Sequence, residues 1–330
     1  MFPPENFTKM KAAVKSGDNC YLTLAENILR DVDRGLIKSL LLSMGVHAGY
    51  YGTKTVRANR DKYNCNIPWT ILFDPTSACN LHCKGCWAAE YGHALKLSLD
   101  EMRSIVKRGR ALGTHFYMLT GGEPLIRKDD IVTLAKENPE CTFLIYTNAT
   151  LVDEKLCRDI KKCGNITLAL SIEGTKESND DRRGEGAYSR TLKAMELLKR
   201  EKILFGISIC YTRKNVEAVT DDAFLDKMVD LGVKYAFYFN YMPVGHDADI
   251  IVAAAGKAKM VGPDITGDGK IIIDVGINID DEGKLCGDVD FDAVSEKAEA
   301  ITPVPGGVGS VTTAVLMKHV IEAAAKAYKA

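Results

Sequence analysis

The sequence predicts an α/β protein built around a partial (β/α)6, TIM-like barrel, preceded by a helical extension and followed by a second α/β segment of different composition. Three observations carry this. Six β-rich runs alternate with amphipathic helical stretches between residues 67 and 247, a pattern of parallel βα units whose functional groups lie at the strands' C-terminal ends. Polar clusters follow four successive strands at that end. Finally, the composition breaks near Ala248: the last 83 residues hold 8 Lys, no Arg, 13 Asp and Glu, and only 2 of the 25 aromatics.

Residues 1–66 read as a helical lead-in. Within it, residues 22–44 place apolar side chains at helical spacing, with an interruption expected at Gly35. The strands are TILFDPT (70–76), HFYMLT (115–120), TFLIYTN (142–148), ITLALSI (166–172), FGISICY (205–211) and YAFYFNYM (235–242). Residues 67–247 form the barrel and residues 248–330 the second segment.

The 330 residues are 46 % hydrophobic and 26 % charged, the balance of a folded globular chain. With 43 basic and 44 acidic side chains, bulk charge gives no reason to expect a nucleic-acid partner. The first residues show no secretory signal, and the longest apolar run, near Leu40–Leu42, is too short to span a bilayer. Ten cysteines without such a signal point to thiols and metal rather than disulfides, and to the cytoplasm.

The chemistry concentrates after the first strand, in Cys79-Asn-Leu-His-Cys83-Lys-Gly-Cys86. Three thiolates within eight residues can wrap one soft metal centre from a single loop. An iron–sulfur cube would then keep one iron open. Structural zinc is the alternative, with Cys65 or His82 as a fourth ligand. The second strand ends in Gly121-Gly122-Glu123-Pro124, the third in Thr147-Asn148, and the fourth in Ser171-Ile172-Glu173-Gly174. Paired glycines allow close backbone approach, and the carboxylates stand at the barrel mouth.

This constellation over residues 69–245 resembles the radical S-adenosylmethionine family. The resemblance implies that Cys79, Cys83 and Cys86 hold three irons of a 4Fe–4S cluster and that S-adenosylmethionine chelates the fourth. It places Gly121, Gly122 and Glu123 at the methionine amino group, and Ser171 and Glu173 at the ribose or carboxylate. Arg183 either pairs with the carboxylate or is a solvated loop charge. The implied reaction is reductive cleavage of S-adenosylmethionine to a 5′-deoxyadenosyl radical, fed by a low-potential donor such as a ferredoxin or flavodoxin. It acts on a small-molecule or lipid-like substrate. Many members carry an aromatic residue before the third cysteine, where this chain has Gly85. Within the family, DPTSACNLHCKGCW and MPVG look closest to a subgroup containing the hopanoid-modifying adenosyl transferase.

The text after residue 247 resembles the C-terminal third of bifunctional methylenetetrahydrofolate dehydrogenase/cyclohydrolase. That resemblance puts Ile277, in DVGIN, against NADP, and makes Pro303, Pro305, Gly306, Gly307 and Gly309 part of a folate-lining loop. Ser310 and Val311 depart from it. The family's phosphate-gripping G-R-S-x2-V-G-x-P loop occurs nowhere in the chain, which speaks against NADP binding. The segment therefore reads as an incomplete Rossmann-like piece whose strands 249–255 and 271–275 lack partners. Recombination, a mis-assembled gene and a deliberate chimera all fit the join. Two other readings stand beside a radical enzyme: a dehydrogenase/cyclohydrolase of one-carbon metabolism, and a zinc-binding protein without catalysis.

Overall fold

The computed structural model describes residues 11–12, 19–88, 92–241, 250–309 and 311. The chain divides into two compact units, Met1–Tyr241 and Met242–Ala330.

In the first unit the six runs become β1 (Thr70–Phe73), β2 (Phe116–Leu119), β3 (Thr142–Thr147), β4 (Ile166–Ser171), β5 (Phe205–Tyr211) and β6 (Ala236–Asn240). They form one all-parallel sheet in sequential order. Among the described residues β6 does not pair back to β1, so the barrel is open. Alternate side chains face opposite sides of a strand. Tyr117, Phe143, Ile145, Leu168 and Ile207 enter the main core with the helices. Phe116, Leu144 and Ala169, with Met118 and Tyr146 against them, form a second cluster on the other face. Apolar burial on both faces explains why these strands read as continuous apolar runs.

The helical extension comprises α1 (Cys20–Asp31), α2 (Arg34–Leu40), a π-helical stretch Leu41–Gly52 and α3 (Thr53–Tyr63). The expected interruption at Gly35 moves to Val32–Asp33. Asp33 caps α2 by accepting the Leu36 N–H at 3.0 Å, and Gly35 sits inside the first turn. A cap outweighs one helical glycine, whose cost is about 1 kcal/mol. Small buried residues let the rod close the N-terminal end of the sheet. The Ser43 and Thr142 hydroxyls lie 2.8 Å apart, and the Trp69 indole donates to the Ala48 carbonyl at 3.2 Å.

Between the strands run α4 (Leu99–Leu112), α5 (Lys128–Glu137), α6 (Glu154–Cys163), α7 (Lys176–Arg183), α8 (Ala187–Arg200), α9 (Val216–Thr220) and α10 (Asp222–Asp230). Local chemistry sets their ends. Ser98 and Glu101 form a capping box at α4, and Gly113 ends it in the left-handed region at φ 99°.

The second unit holds three parallel strands, β7 (Ile250–Ala253), β8 (Ile271–Asp274) and β11 (Ala300–Ile301), with β8 in the middle. A short antiparallel pair, β9 (Asn278–Ile279) and β10 (Leu285–Cys286), forms a separate two-stranded sheet. This corrects the expectation that the tail's strands lack partners: β8 is paired on both edges and packs Ile272 against Ala253, Val261, Val289 and Val294. A two-residue strand at Ala300–Ile301 is too short to read from periodicity. Asp288 is buried and accepts the N–H groups of Ala255, Gly256 and Lys257 and the Asn278 amide. The join Met242–Asp249, Ser310 and the apolar segment after Val311 lie outside the described residues.

Two measurements test this architecture. Asn165, fully buried at the foot of β4, donates its amide to the carbonyls of Ala135, Asn138 and Cys141 at 3.0, 2.9 and 2.8 Å. Asn165→Ala removes the buried amide that ties these three carbonyls together, two of which keep a backbone N–H, and should cost about 1–3 kcal/mol in denaturant unfolding; a cost under about 0.5 kcal/mol contradicts that role. Asp31 is held at about 2 by hydrogen bonds from Arg30 and then Lys234. A depressed carboxyl stabilises the fold above its ordinary value of 3.8 and loses that contribution as pH falls toward 2. Acid unfolding of Asp31→Asn should show a shallower pH dependence across that window, and an unchanged slope counts against the pair.

Candidate metal and cofactor site

The loop leaving β1 is bound to its neighbours by backbone. The Gly122 N–H donates to the Thr76 carbonyl at 3.0 Å, and the Glu123 N–H to the Ala78 carbonyl at 2.8 Å. A Cβ on Gly122 would strike the carbonyl oxygens of Ser77 and Ala78. Gly121 adopts φ 114° and packs equally tightly on Thr76 and Asp74. The two glycines thus admit the chain's own cysteine loop.

Glu123 is 1 % exposed. Its carboxylate accepts the Leu125 N–H at 2.9 Å, the Thr147 hydroxyl at 2.7 Å and the Asn148 N–H at 2.7 Å. Burial pushes its pKa up, and these donors pull against that shift. The side chain therefore ties the end of β2 to the end of β3. Asn148 carries the tie onward: its amide donates to Asn80 at 2.8 Å within the cysteine loop.

Cys79, Cys83 and Cys86 line one cavity of about 120 Å³ with Ser77, Leu81, His82, Ala88, His93 and Gly122. Among the described residues no three His, Cys, Asp or Glu side chains close around a single ion. The three thiols instead meet as walls of a common cavity, a donor set that suits a thiolate-held cluster. Burial raises the pKa of Cys79 and Cys83; the Leu81 N–H eases the first, and Arg183 and Arg182 ease the second. Metal binding itself removes these protons. His82 is at the cavity, whereas Cys65 precedes β1 at the opposite end of the sheet and does not line it.

Beside the cysteine loop lies the end of β4. Glu173 is fully buried and accepts from Arg182 at 2.5 Å, from Arg183 at 2.9 and 2.5 Å, and from the Cys210 N–H at 3.0 Å. Arg183 is thus an ion-paired residue rather than a solvated charge. Truncating either side would leave buried charge unpaired. The Arg182 carbonyl accepts the Lys84 N–H at 2.8 Å, and Lys84 pairs with Asp181, so α7 grips the cysteine loop from outside. Ser171 stands half-buried at the end of β4, beside Ser208 of β5.

Gly85 has a partner that the sequence left unread. Its backbone is left-handed at φ 60°, and the space its side chain would take is filled by the Tyr241 ring just past β6. The Arg182 guanidinium lies 6.0 Å from that ring's centroid. Arg182, Tyr241 and Asn80, which the sequence did not single out, join the Thr147–Asn148 pair that it did. The repeated arginine and the polar strand ends were the available signals.

Residues 73–236 match the Radical SAM superfamily. Residues 73–236 are a radical SAM domain. The structure of Streptococcus suis SuiB bound to S-adenosylmethionine aligns with a TM-score of 0.51 and 20 % identity, covering 58 % of this chain and 45 % of that one. That likeness shows a shared fold. The radical SAM domain is followed by residues 239–328, which match the tetrahydrofolate dehydrogenase/cyclohydrolase NAD(P)-binding domain. The bifunctional protein FolD of Clostridioides difficile is 57 % identical over 84 residues, 26 % of this chain and 29 % of that protein. FolD of Methanoculleus marisnigri is 64 % identical over 77 residues, 23 % and 27 % of the two chains. The chain thus spans less than a third of these curated relatives.

In the second unit, Ile277 lies in the exposed turn after β8, and the loop from Pro303 through Pro305, Gly306 and Gly307 to Gly309 follows β11. Because β8 and β11 are parallel neighbours, the structure brings these two loops to one end of the small sheet. Among the described residues of the whole chain no helix is long and apolar enough to cross a membrane.

Gly122→Ala tests the close approach. Its Cβ must displace the cysteine loop, so iron retained after anaerobic reconstitution should fall severalfold. Gly45→Ala, which meets open space, should leave iron unchanged. Equal iron in both variants would show that the turn does not set the loop.

Proposed function

We propose that the first unit binds a 4Fe–4S cluster through Cys79, Cys83 and Cys86 and uses it to cleave S-adenosylmethionine reductively. The observation carrying this reading is the convergence of three thiols on one cavity that Gly122 also lines. When bound, the cluster supplies one low-potential electron that splits S-adenosylmethionine into methionine and a 5′-deoxyadenosyl radical.

The chain's own residues bind and orient. In this reading the Gly121–Glu123 turn meets the amino group of the methionine moiety, with Glu123 holding the turn and keeping one acceptor position for that ammonium. Ser171 and Glu173 stand on the ribose and carboxylate side, and Arg183 lies within reach of a carboxylate while paired to Glu173. A ferredoxin- or flavodoxin-class donor and a cytoplasmic setting accompany this proposal. The substrate is a small molecule or a lipid-like compound.

The second unit is proposed to add no dehydrogenase activity. It retains the end of the sheet that carries Ile277 and the Pro303–Gly309 loop, but an NADP site also needs backbone amides at a helix N-terminus to hold phosphate. The chain lacks the glycine-containing sequence that forms that loop in the resembled family.

Reduced, reconstituted protein incubated with S-adenosylmethionine should release 5′-deoxyadenosine. Cys83→Ala should abolish iron binding and this product while leaving circular dichroism nearly unchanged. A full iron complement in Cys83→Ala overturns the ligand assignment. In a separate assay, NADP and methylenetetrahydrofolate should give no NADPH; measurable reduction would make the second unit a working dehydrogenase.

A further inference from the structure

The helical rod from Arg34 to Tyr63 shows a pattern that the barrel chemistry does not use. In its π-helical stretch the buried residues Ser43, Ala48 and Gly52 recur at spacings of five and four and pack toward the foot of the sheet, with Leu36 and Leu40 buried before them and Val56 after. On the other side an unbroken row at spacing four is exposed: Arg34, Lys38, Leu42, Val46, Tyr50, Lys54, Ala58 and Lys62. The centre of this row is apolar and both ends are cationic. Leu41 and Tyr51 widen the apolar centre and are 64 % and 56 % exposed. Such a contiguous exposed patch on a folded chain marks a contact surface.

Charge identifies the occupant. Between Arg34 and Tyr63 there are six Lys or Arg and one acidic residue, Asp61, in a chain whose net charge is −1. An apolar, aromatic-bearing centre flanked by long cationic side chains matches the profile of a bilayer interface. Apolar groups enter the acyl boundary while Lys and Arg reach anionic headgroups. The apolar stretch lies along such a surface, since no described helix is long and apolar enough to cross a membrane.

We propose that this face docks the protein on an anionic lipid surface. The rod caps the N-terminal ends of the strands, whereas the cysteine loop follows the C-terminal end of β1. Docking therefore leaves the cysteine-lined cavity at the end of the sheet turned away from the bilayer.

The test is sedimentation of the full chain with vesicles of phosphatidylcholine alone or mixed with phosphatidylglycerol. Binding is expected to the mixed vesicles, weaker to phosphatidylcholine, and reduced by salt. Lys38→Glu with Lys54→Glu should weaken binding roughly tenfold or more. Leu42→Ser with Tyr50→Ser should abolish it, with thermal unfolding of both variants unchanged. Failure to bind mixed vesicles, or equal binding by the variants, overturns the proposal. So does a vesicle-free dimer that Leu42→Ser with Tyr50→Ser dissolves, which would make the face an interface between copies.

Discussion

The cysteine loop has its shape because a two-glycine turn lies directly on its backbone. With the Gly122 N–H on the Thr76 carbonyl and the Glu123 N–H on the Ala78 carbonyl, there is no room for a side chain at Gly122. Everything at the mouth of the barrel follows from that contact. The loop bearing Cys79, Cys83 and Cys86 is referenced to the end of β2. Glu123 then references the same turn to β3, through Thr147 and Asn148. A loop alone would hold three thiols loosely; a loop pinned to neighbouring strand ends holds them on rigid elements.

Charge balance closes the other side. The fully buried Glu173 pairs with two arginines, and these guanidiniums ease the burial penalty on the Cys83 thiolate. Tyr241 supplies bulk beside Gly85. The ring that the chain lacks next to its third cysteine is thus provided from the end of β6.

Much of this was legible in the sequence because it is local. Apolar, β-branched runs mark all six strands of the barrel, and the cysteines and paired glycines sit at strand ends by register alone. What escaped reading depends on partners far along the chain. Gly35 looked like a helix break, but the Asp33 side chain sets the boundary two residues earlier. Glu123 and Glu173 read as carboxylates at the barrel mouth, yet both are buried and held by donors that only the fold brings near. The π-helical turn at Leu41–Gly52 answers to packing of small residues beneath the sheet. In the second unit, β11 is two residues long and exists because β8 offers it an edge.

In the proposed enzyme three thiolates from one loop hold a cluster with one iron left for S-adenosylmethionine. Mössbauer spectra of iron-enriched, anaerobically reconstituted protein, recorded with and without S-adenosylmethionine, address it most directly. The account predicts a cubane signal in which one iron site alone shifts when S-adenosylmethionine is added. Four unresponsive irons, or a protein that takes up zinc and no cubane, would contradict it.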